Sequence, residues 1–466
     1  MPKTPLEAWI SRKIGGVGPM TREAVRTYQL EKLAHTLDYA RKMSPFYRRH
    51  LEGFDHLTHL HDIGRLPFTS ADDLRDDPQR FLCVPQGEIT RVVTLGTSGT
   101  TGEPKRLFFT QDDLELTIDF FCVGMSTLVK PNQSVLILLP GEKPDSVGDL
   151  LARGLKRMDV QGIIHGPVRD TRTTAGEIMR RKIDSLVGIP TQVLALARSE
   201  AGSLIEKGMI KSVLLSTDYV PMAIVSELNR LWGCSVFNHY GMTETGLGGG
   251  VECEAHAGYH LREADLYFEV VDPVTGNPLE DGLSGEIVFT TLTRKGMPLV
   301  RYRTGDMARF IPEPCPCGTI LRRMEPVKGR WDGRAPLGRE GSLTLPEVDE
   351  VLFRLPWLLN YGIRLTADEK KDCLEVTVYA DSGHEQKGYE VSRALKDIRA
   401  VREGIEGGWV QLAPVRFTKE DWFTTGVGKR RIIDERQIDR SDLPRAERGA
   451  ICGALLRQSR RDSDWN

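Results

Sequence analysis

The rhythm of apolar and polar positions changes along this chain, and each rhythm predicts a different kind of element. Between residues 20 and 50, Leu30, Leu33, Leu37 and Tyr39 recur among charged residues with helical spacing. Further on, short apolar runs bounded by Gly or Pro alternate with helical patterns: Arg91-Val92-Val93-Thr94, Ser134-Val135-Leu136-Ile137-Leu138-Leu139 before Pro140-Gly141, Ser212-Val213-Leu214-Leu215, and Ser235-Val236-Phe237. Such runs predict a parallel or mixed sheet with helices on both faces, because strands buried on both sides need not alternate. From about residue 265 the pattern turns to period two, in Leu266-Tyr267-Phe268-Glu269-Val270-Val271 and Gly285-Glu286-Ile287-Val288-Phe289, and predicts antiparallel strands. Leu374 to Tyr379 reads as a further strand and Tyr389 to Arg402 as a helix.

The fold class expected from these patterns is α/β. A large N-terminal domain, residues 1–330, carries mixed sheets flanked by helices and an antiparallel β subdomain at about 260–328. The boundary falls at Gly329 to Asp332, and a small α+β domain follows at 331–436. For the strongly charged stretch 437–466, an accessory helix and a tail without fixed structure are both open.

At 466 residues the chain has material for two or three domains and a large core. Its 63 basic and 65 acidic residues nearly cancel, which argues against a nucleic-acid binder. The opening Met1-Pro2-Lys3-Thr4-Pro5 has no apolar signal core, and no run approaches the roughly 18 apolar residues that span a bilayer. No membrane partner is expected, and the expected location is the cytoplasm. Eight cysteines in so long a chain fit a reducing compartment better than a disulfide framework.

The stretch richest in chemistry is 94–105, Thr94-Leu95-Gly96-Thr97-Ser98-Gly99-Thr100-Thr101-Gly102-Glu103-Pro104-Lys105. Its glycines let the backbone approach an anion, its hydroxyls donate to phosphate oxygens, and Lys105 supplies a mobile positive charge. It is not a Walker A loop, because Lys105 follows a proline and opens no helix. By composition alone a flexible linker would look similar.

In full, this run resembles the signature loop of the adenylate-forming superfamily, which includes acyl-CoA ligases, adenylation domains and luciferases. The superfamily's other motifs follow in order. Tyr240-Gly241-Met242-Thr243-Glu244 resembles Y-G-x-T-E, Arg301-Tyr302-Arg303-Thr304-Gly305-Asp306 the next motif, Gly329-Arg330-Trp331-Asp332 the G-R-x-D element, and Gly428-Lys429-Arg430-Arg431-Ile432 the segment of the catalytic lysine. Within the superfamily the chain is most similar to the phenylacetate-CoA ligase and coenzyme F390 synthetase group, over nearly its whole length. Ser44-Pro45-Phe46-Tyr47-Arg48, Leu66-Pro67-Phe68-Thr69 and Cys315-Pro316-Cys317-Gly318 also match that group.

The resemblance implies ATP-dependent activation of a carboxylic acid to an acyl-adenylate, with pyrophosphate released, and transfer to CoA. Thr97, Ser98, Gly99, Thr100, Thr101 and Gly102 would cradle the phosphates, and Tyr240, Gly241, Met242, Thr243, Asp306 and Arg330 would complete the nucleotide site. Glu244 would hold Mg²⁺, Lys105 would steady pyrophosphate, and Lys429 would bridge carboxylate and α-phosphate, since attack of one anion on another needs cations where charge builds up. Asp332 would be the hinge of a mobile small domain.

Cys253, His260, Cys315 and Cys317 offer three thiolates and an imidazole, the ligand set of a closed Zn²⁺ site. The resemblance implies a structural zinc here, with His256 competing with His260 for one position. His56, His59 and His61 form a weaker metal candidate.

Some segments depart from the family. Ser216-Thr217-Asp218-Tyr219 stands where a G-x-E-P strand is usual, and Gly333 to Arg339 replaces a stretch used in thioester formation, so adenylation is implied more firmly than CoA transfer. Phe120, Phe121, Met125, Tyr219 and Met242 suit an aromatic or otherwise apolar acid, and suit a core equally well. Three alternatives therefore stay open: loading of a carrier protein in place of CoA, adenylation of a hydroxyl, and a non-catalytic ATP-binding regulator. A homodimer is open as well.

Overall fold

The computed structural model describes residues 2–15, 19–54, 56–95, 104–368, 371–380, 383–418 and 430–436. Thr97, Ser98, Gly99, Thr100, Thr101, Gly102 and Lys429 lie outside the described residues, as does 437–466.

The N-terminal helical rhythm forms Arg22–Met43, capped by the Thr21 side chain accepting from Ala24 N at 3.1 Å. Pro45–His50 follows as a separate helix, with the Ser44 hydroxyl as its N-cap. Pro45 stands in that helix's first turn, where its missing N–H removes no bond.

Among the described residues the largest sheet has nine strands. Its parallel half places Ser134–Leu138 between Gln161–Ile164 and Ser185–Gly188, and continues through Ser212–Leu215 to Ser235–Tyr240. Ser185–Gly188 and Ser212–Leu215 are buried along their whole length: the apolar residues cover both faces, and the opening serines pair hydroxyl to hydroxyl at 2.7 Å. At Ser235–Tyr240 the sheet changes from parallel to antiparallel pairing. One side pairs parallel with Ser212–Leu215 and the other antiparallel with Gly250–Glu252, in the register Tyr240↔Gly250. Tyr259–Leu261, Arg323–Met324 and Phe310–Ile311 extend that antiparallel half.

The period-two segment forms a separate three-stranded antiparallel sheet, Leu266–Val271, Gly285–Thr291 and Tyr302–Ala308. The antiparallel region anticipated at about 260–328 is thus shared between two sheets. The short strands that join the large sheet are two or three residues long, too short for a period to be read.

Beyond residue 332, Lys371–Ala380 and Leu358–Asp368 form a long antiparallel pair, joined by Val410–Leu412, Arg416–Thr418 and Ile433–Asp434. The helix expected over 389–402 is instead two, Gly388–Leu395 and Arg399–Glu406. Ile398 takes an extended conformation between them and is 6 % exposed, so core burial overrides continuous helix there. One apolar cluster contains residues from both sides of the boundary, including Leu194, Val213 and Trp232 with Leu352, Phe353 and Tyr361.

Candidate active site

Lys105 opens the strand Lys105–Thr110, Glu244 sits in the short turn Thr243–Thr245 after Ser235–Tyr240, and Tyr302 opens Tyr302–Ala308. Three separate motifs therefore meet at one point. The Lys105 ammonium pairs with Glu244 Oε1 and donates to Tyr302 Oη at 3.1 Å; Tyr302 Oη in turn donates to Glu244 Oε1 at 3.1 Å. Glu244 is 2 % exposed. A carboxylate so deeply buried needs a cation, and here Lys105 supplies it. Burial and the Glu244 charge push the Tyr302 hydroxyl far above the ordinary phenol range, so it remains a donor.

A second constellation lies alongside. Tyr240 Oη donates to Asp306 Oδ2 at 3.0 Å, and Arg330 Nη1 stands 3.8 Å from Asp306 Oδ1. The backbones of Asp306 and Arg330 also bridge. Gly305 has φ +75°, and a Cβ there would come within 2.6 Å of Arg330 Nη2, so the guanidinium rests on a surface only glycine provides. Gly241 is similarly confined: a Cβ would meet Leu247 O at 2.5 Å. Met242 N donates to Thr245 Oγ1 at 3.2 Å, which fixes the turn that carries Thr243 and Glu244. Asp332 lies in the single turn Trp331–Gly333, and its side chain is outside the described atoms.

Two residues beside these were not singled out by the motifs. Tyr302 lies within the motif Arg301 to Asp306 with no role of its own implied there, and its contact with Lys105 and Glu244 gives it one. Arg294 is buried, and burial pulls its guanidinium down to about 10. Its Nη2 would lie 3.1 Å from a Cβ at Gly246, next to the Glu244 turn. No local pattern marks an isolated arginine of this kind.

Cys253, His260, Cys315 and Cys317 are all buried, with ligand atoms within 4.8 Å of one another. Cys253 Sγ lies 3.7 Å from Cys315 Sγ and 3.3 Å from His260 Nε2, and Cys317 Sγ lies 3.6 Å from His260 Nε2. Tetrahedral bonds of about 2.3 Å to sulfur and about 2.0 Å to nitrogen would require edges near these lengths. The donor set therefore fits a tetrahedral dication. Burial pushes the Cys253 thiol up to about 12 and His260 down to about 4. His256 is not in the cluster: its ring faces Phe237 at 4.6 Å and its Nδ1 stands 3.5 Å from Glu252. His59 and His61 approach Asp62 but are highly exposed, and His56 does not join them.

The AMP-binding enzyme family matches residues 85–292. A phenylacetate-coenzyme A ligase of Thermus thermophilus is 31% identical over 402 residues, covering 83% of this chain and 89% of that protein. Among solved structures, a 2-hydroxyisobutyryl-CoA ligase in its postadenylation state aligns over 92% of both chains with a TM-score of 0.73 and 22% identity. The same ligase in its thioesterification state, with 2-HIB-AMP and CoA, covers 91% of this chain and 92% of its own with a TM-score of 0.62 and 21% identity. The chain belongs to the adenylate-forming AMP-binding enzymes, in the phenylacetate-CoA ligase-like group. It is an AMP-forming acid–CoA ligase: a carboxylic acid is activated with ATP to an acyl-adenylate and then converted to a CoA thioester. Among the described residues no helix is long and apolar enough to cross a membrane.

Proposed function

We propose that the acid is apolar and aromatic, of the phenylacetate class, and that the two constellations above are its nucleotide machinery. The observation that carries the assignment of roles is the meeting of Lys105, Glu244 and Tyr302 at one point, each from a different motif. When ATP binds, Tyr240 and Gly241 would face the adenine, Thr243 and Thr97 to Gly102 the phosphates, and Asp306 with Arg330 the ribose hydroxyls. Glu244 would hold Mg²⁺, which neutralises phosphate charge when bound, and Lys105 would be freed from Glu244 toward pyrophosphate. Lys429 would bring the cation that lets carboxylate approach the α-phosphorus. Phe120 and Phe121, with ring centroids 6.3 and 6.4 Å from that of His239 on Ser235–Tyr240, would flank the acyl group.

Cys253, His260, Cys315 and Cys317 would hold a structural Zn²⁺ that ties Gly250–Glu252 and Tyr259–Leu261 to the loop before Arg323–Met324. Residues 331–436 would act as the small domain and Asp332 as its hinge, and the enzyme would work in the cytoplasm.

The test is a panel of aromatic and aliphatic acids scored by pyrophosphate release with and without CoA. Phenylacetate or a close relative should be preferred, with AMP and pyrophosphate as products. ADP and phosphate would refute the chemistry, and an aliphatic preference the substrate class. Release that never depends on CoA would favour a different acceptor. Lys429→Ala should slow adenylation by about 10²-fold or more with ATP affinity nearly unchanged.

A further inference from the structure

Two helix ends meet reciprocally across the boundary at residue 332. Arg198 closes the helix Pro190–Arg198 of the large domain and turns its guanidinium onto carbonyls just past the small-domain helix Leu345–Leu352. Nη2 donates to Phe353 O at 2.8 Å, and Nη1 donates to Leu355 O at 2.9 Å and also to Leu358 O. Nε donates to Glu227 Oε1 at 3.1 Å, on the helix Met222–Trp232. The Arg198 side chain is only 4 % exposed.

The opposite contact starts from Leu345–Leu352 itself. Glu350 Oε1 accepts from Met222 N and from Tyr219 Oη, both at 2.8 Å, and Oε2 accepts from Ala223 N at 3.4 Å. A carboxylate thus caps the start of Met222–Trp232 while a guanidinium caps the carbonyls beyond Leu345–Leu352. The amides that open Met222–Trp232 thus face a carboxylate, and the Phe353 carbonyl that closes Leu345–Leu352 faces a guanidinium, the signs of charge these ends favour.

Such contacts specify orientation more than adhesion, because a planar fork and a carboxylate satisfy carbonyls and amides only in particular directions. Any turn of the small domain would separate both contacts together. The arrangement they hold is the one with greater overall similarity to the postadenylation state of the 2-hydroxyisobutyryl-CoA ligase than to its thioesterification state.

We propose that Arg198 and Glu350 are positioning residues for adenylate formation: they hold the small domain in the orientation that makes the acyl-adenylate and must let go before the thioester forms. This rests on the reading of the chain as a two-step ligase whose small domain turns. Neither residue belongs to a nucleotide motif; Glu350 also holds Tyr219, so a direct effect on the site would show in KM, whereas an effect through the domain shows in the split between half-reactions.

The full-length enzyme is assayed as Arg198→Met, Glu350→Gln and Arg198→Lys in two separate half-reactions. One is acid-dependent pyrophosphate release without CoA; the other is thioester formation from supplied phenylacetyl-adenylate and CoA. Arg198→Met and Glu350→Gln should each slow adenylation about tenfold, with KM for ATP within about twofold, while thioester formation is unchanged or faster; Arg198→Lys should recover part of the loss. Equal losses in both half-reactions would show a merely structural role and overturn the proposal. So would no loss, or a loss confined to the thioester step. Should Arg198→Met fail to fold, Glu350→Gln carries the same test, because it keeps the side chain's size and removes only its charge. The wild type in both assays separates the two layers: if it fails either half-reaction, the two-step reading falls and the proposal with it. If it runs both and the variants match it, the proposal alone falls.

Discussion

Arg430 Nη1 donates to Asp349 Oδ1 at 2.7 Å, and Asp349 is 1 % exposed. The same carboxylate oxygen accepts from Tyr361 Oη at 2.5 Å, and the guanidinium lies 4.5 Å from the centre of the Tyr361 ring. Arg430, the residue after Lys429 in the sequence, is therefore anchored to the buried Asp349 and Tyr361. Arg430→Met should cost about 3 kcal/mol, because it leaves a buried carboxylate without its cation. Adding Asp349→Asn should restore part of that loss. Chemical denaturation of both single variants and the double variant checks the coupling; strict additivity would mean that the pair is energetically inert.

Gly305→Ala meets two obstacles, the left-handed φ of +75° and the guanidinium of Arg330 at 2.6 Å. The substitution should displace Arg330 from Asp306 and raise KM for ATP by about tenfold or more, with a smaller effect on turnover of saturated enzyme. Steady-state kinetics at varied ATP provide the measurement, and an unchanged KM would remove Arg330 from the nucleotide site.

If Zn²⁺ binds as proposed, purified enzyme should contain about one zinc per chain by elemental analysis. Cys317→Ser should lower zinc content and melting temperature together while leaving the turnover of folded enzyme near wild type, since no cluster member lies in a nucleotide motif. Retention of full stability after zinc loss would leave the cysteines as buried apolar residues.

His239 is held neutral by burial, which pulls its imidazole down from 6.5 to about 4. Its Nδ1 pairs with Ser216 Oγ at 3.1 Å, and its Nε2 is buried without a partner among the described residues. The unfolded chain takes up a proton below about pH 6.5 while the folded chain resists until about pH 4. The stability contributed by neutral His239 is thus fully present above that window and is lost as pH falls through it. In His239→Phe the melting temperature should fall less than in wild type between pH 6.5 and pH 4. Parallel curves would show that His239 does not titrate there.

The motifs were legible because their residues are consecutive: one such as Tyr240 to Glu244 carries its own spacing. Three of the parallel strands were legible too, since Val213 to Leu215 had to be apolar to be buried on both faces, whereas Gln161–Ile164 and Ser185–Gly188 went unread. The choice of His260 over His256 was not, because the two lie close in sequence and only the pairing of Tyr259–Leu261 with Gly250–Glu252 brings one imidazole to Cys253. The contacts of Arg198, Arg430 and Glu350 left no trace in the pattern. Arg198 reaches Phe353 155 residues on, Glu350 reaches Met222 128 residues back and Arg430 reaches Asp349 81 residues back, and a single charge among many offers no period to detect.

The register Tyr240↔Gly250 carries a consequence for how this enzyme can diverge. Residues 241–249 form the connection of one antiparallel pair, closed by Gly249 N donating to Tyr240 O at 2.9 Å. Both ends of the segment that bears Thr243 and Glu244 are thereby pinned to adjacent strands. An added or deleted residue there would have to be absorbed within the turn itself, or every side chain on Gly250–Glu252 would change face. Residues in this stretch can therefore be exchanged at a fixed strand register, whereas any change in its length must be taken up between Tyr240 and Gly250 alone.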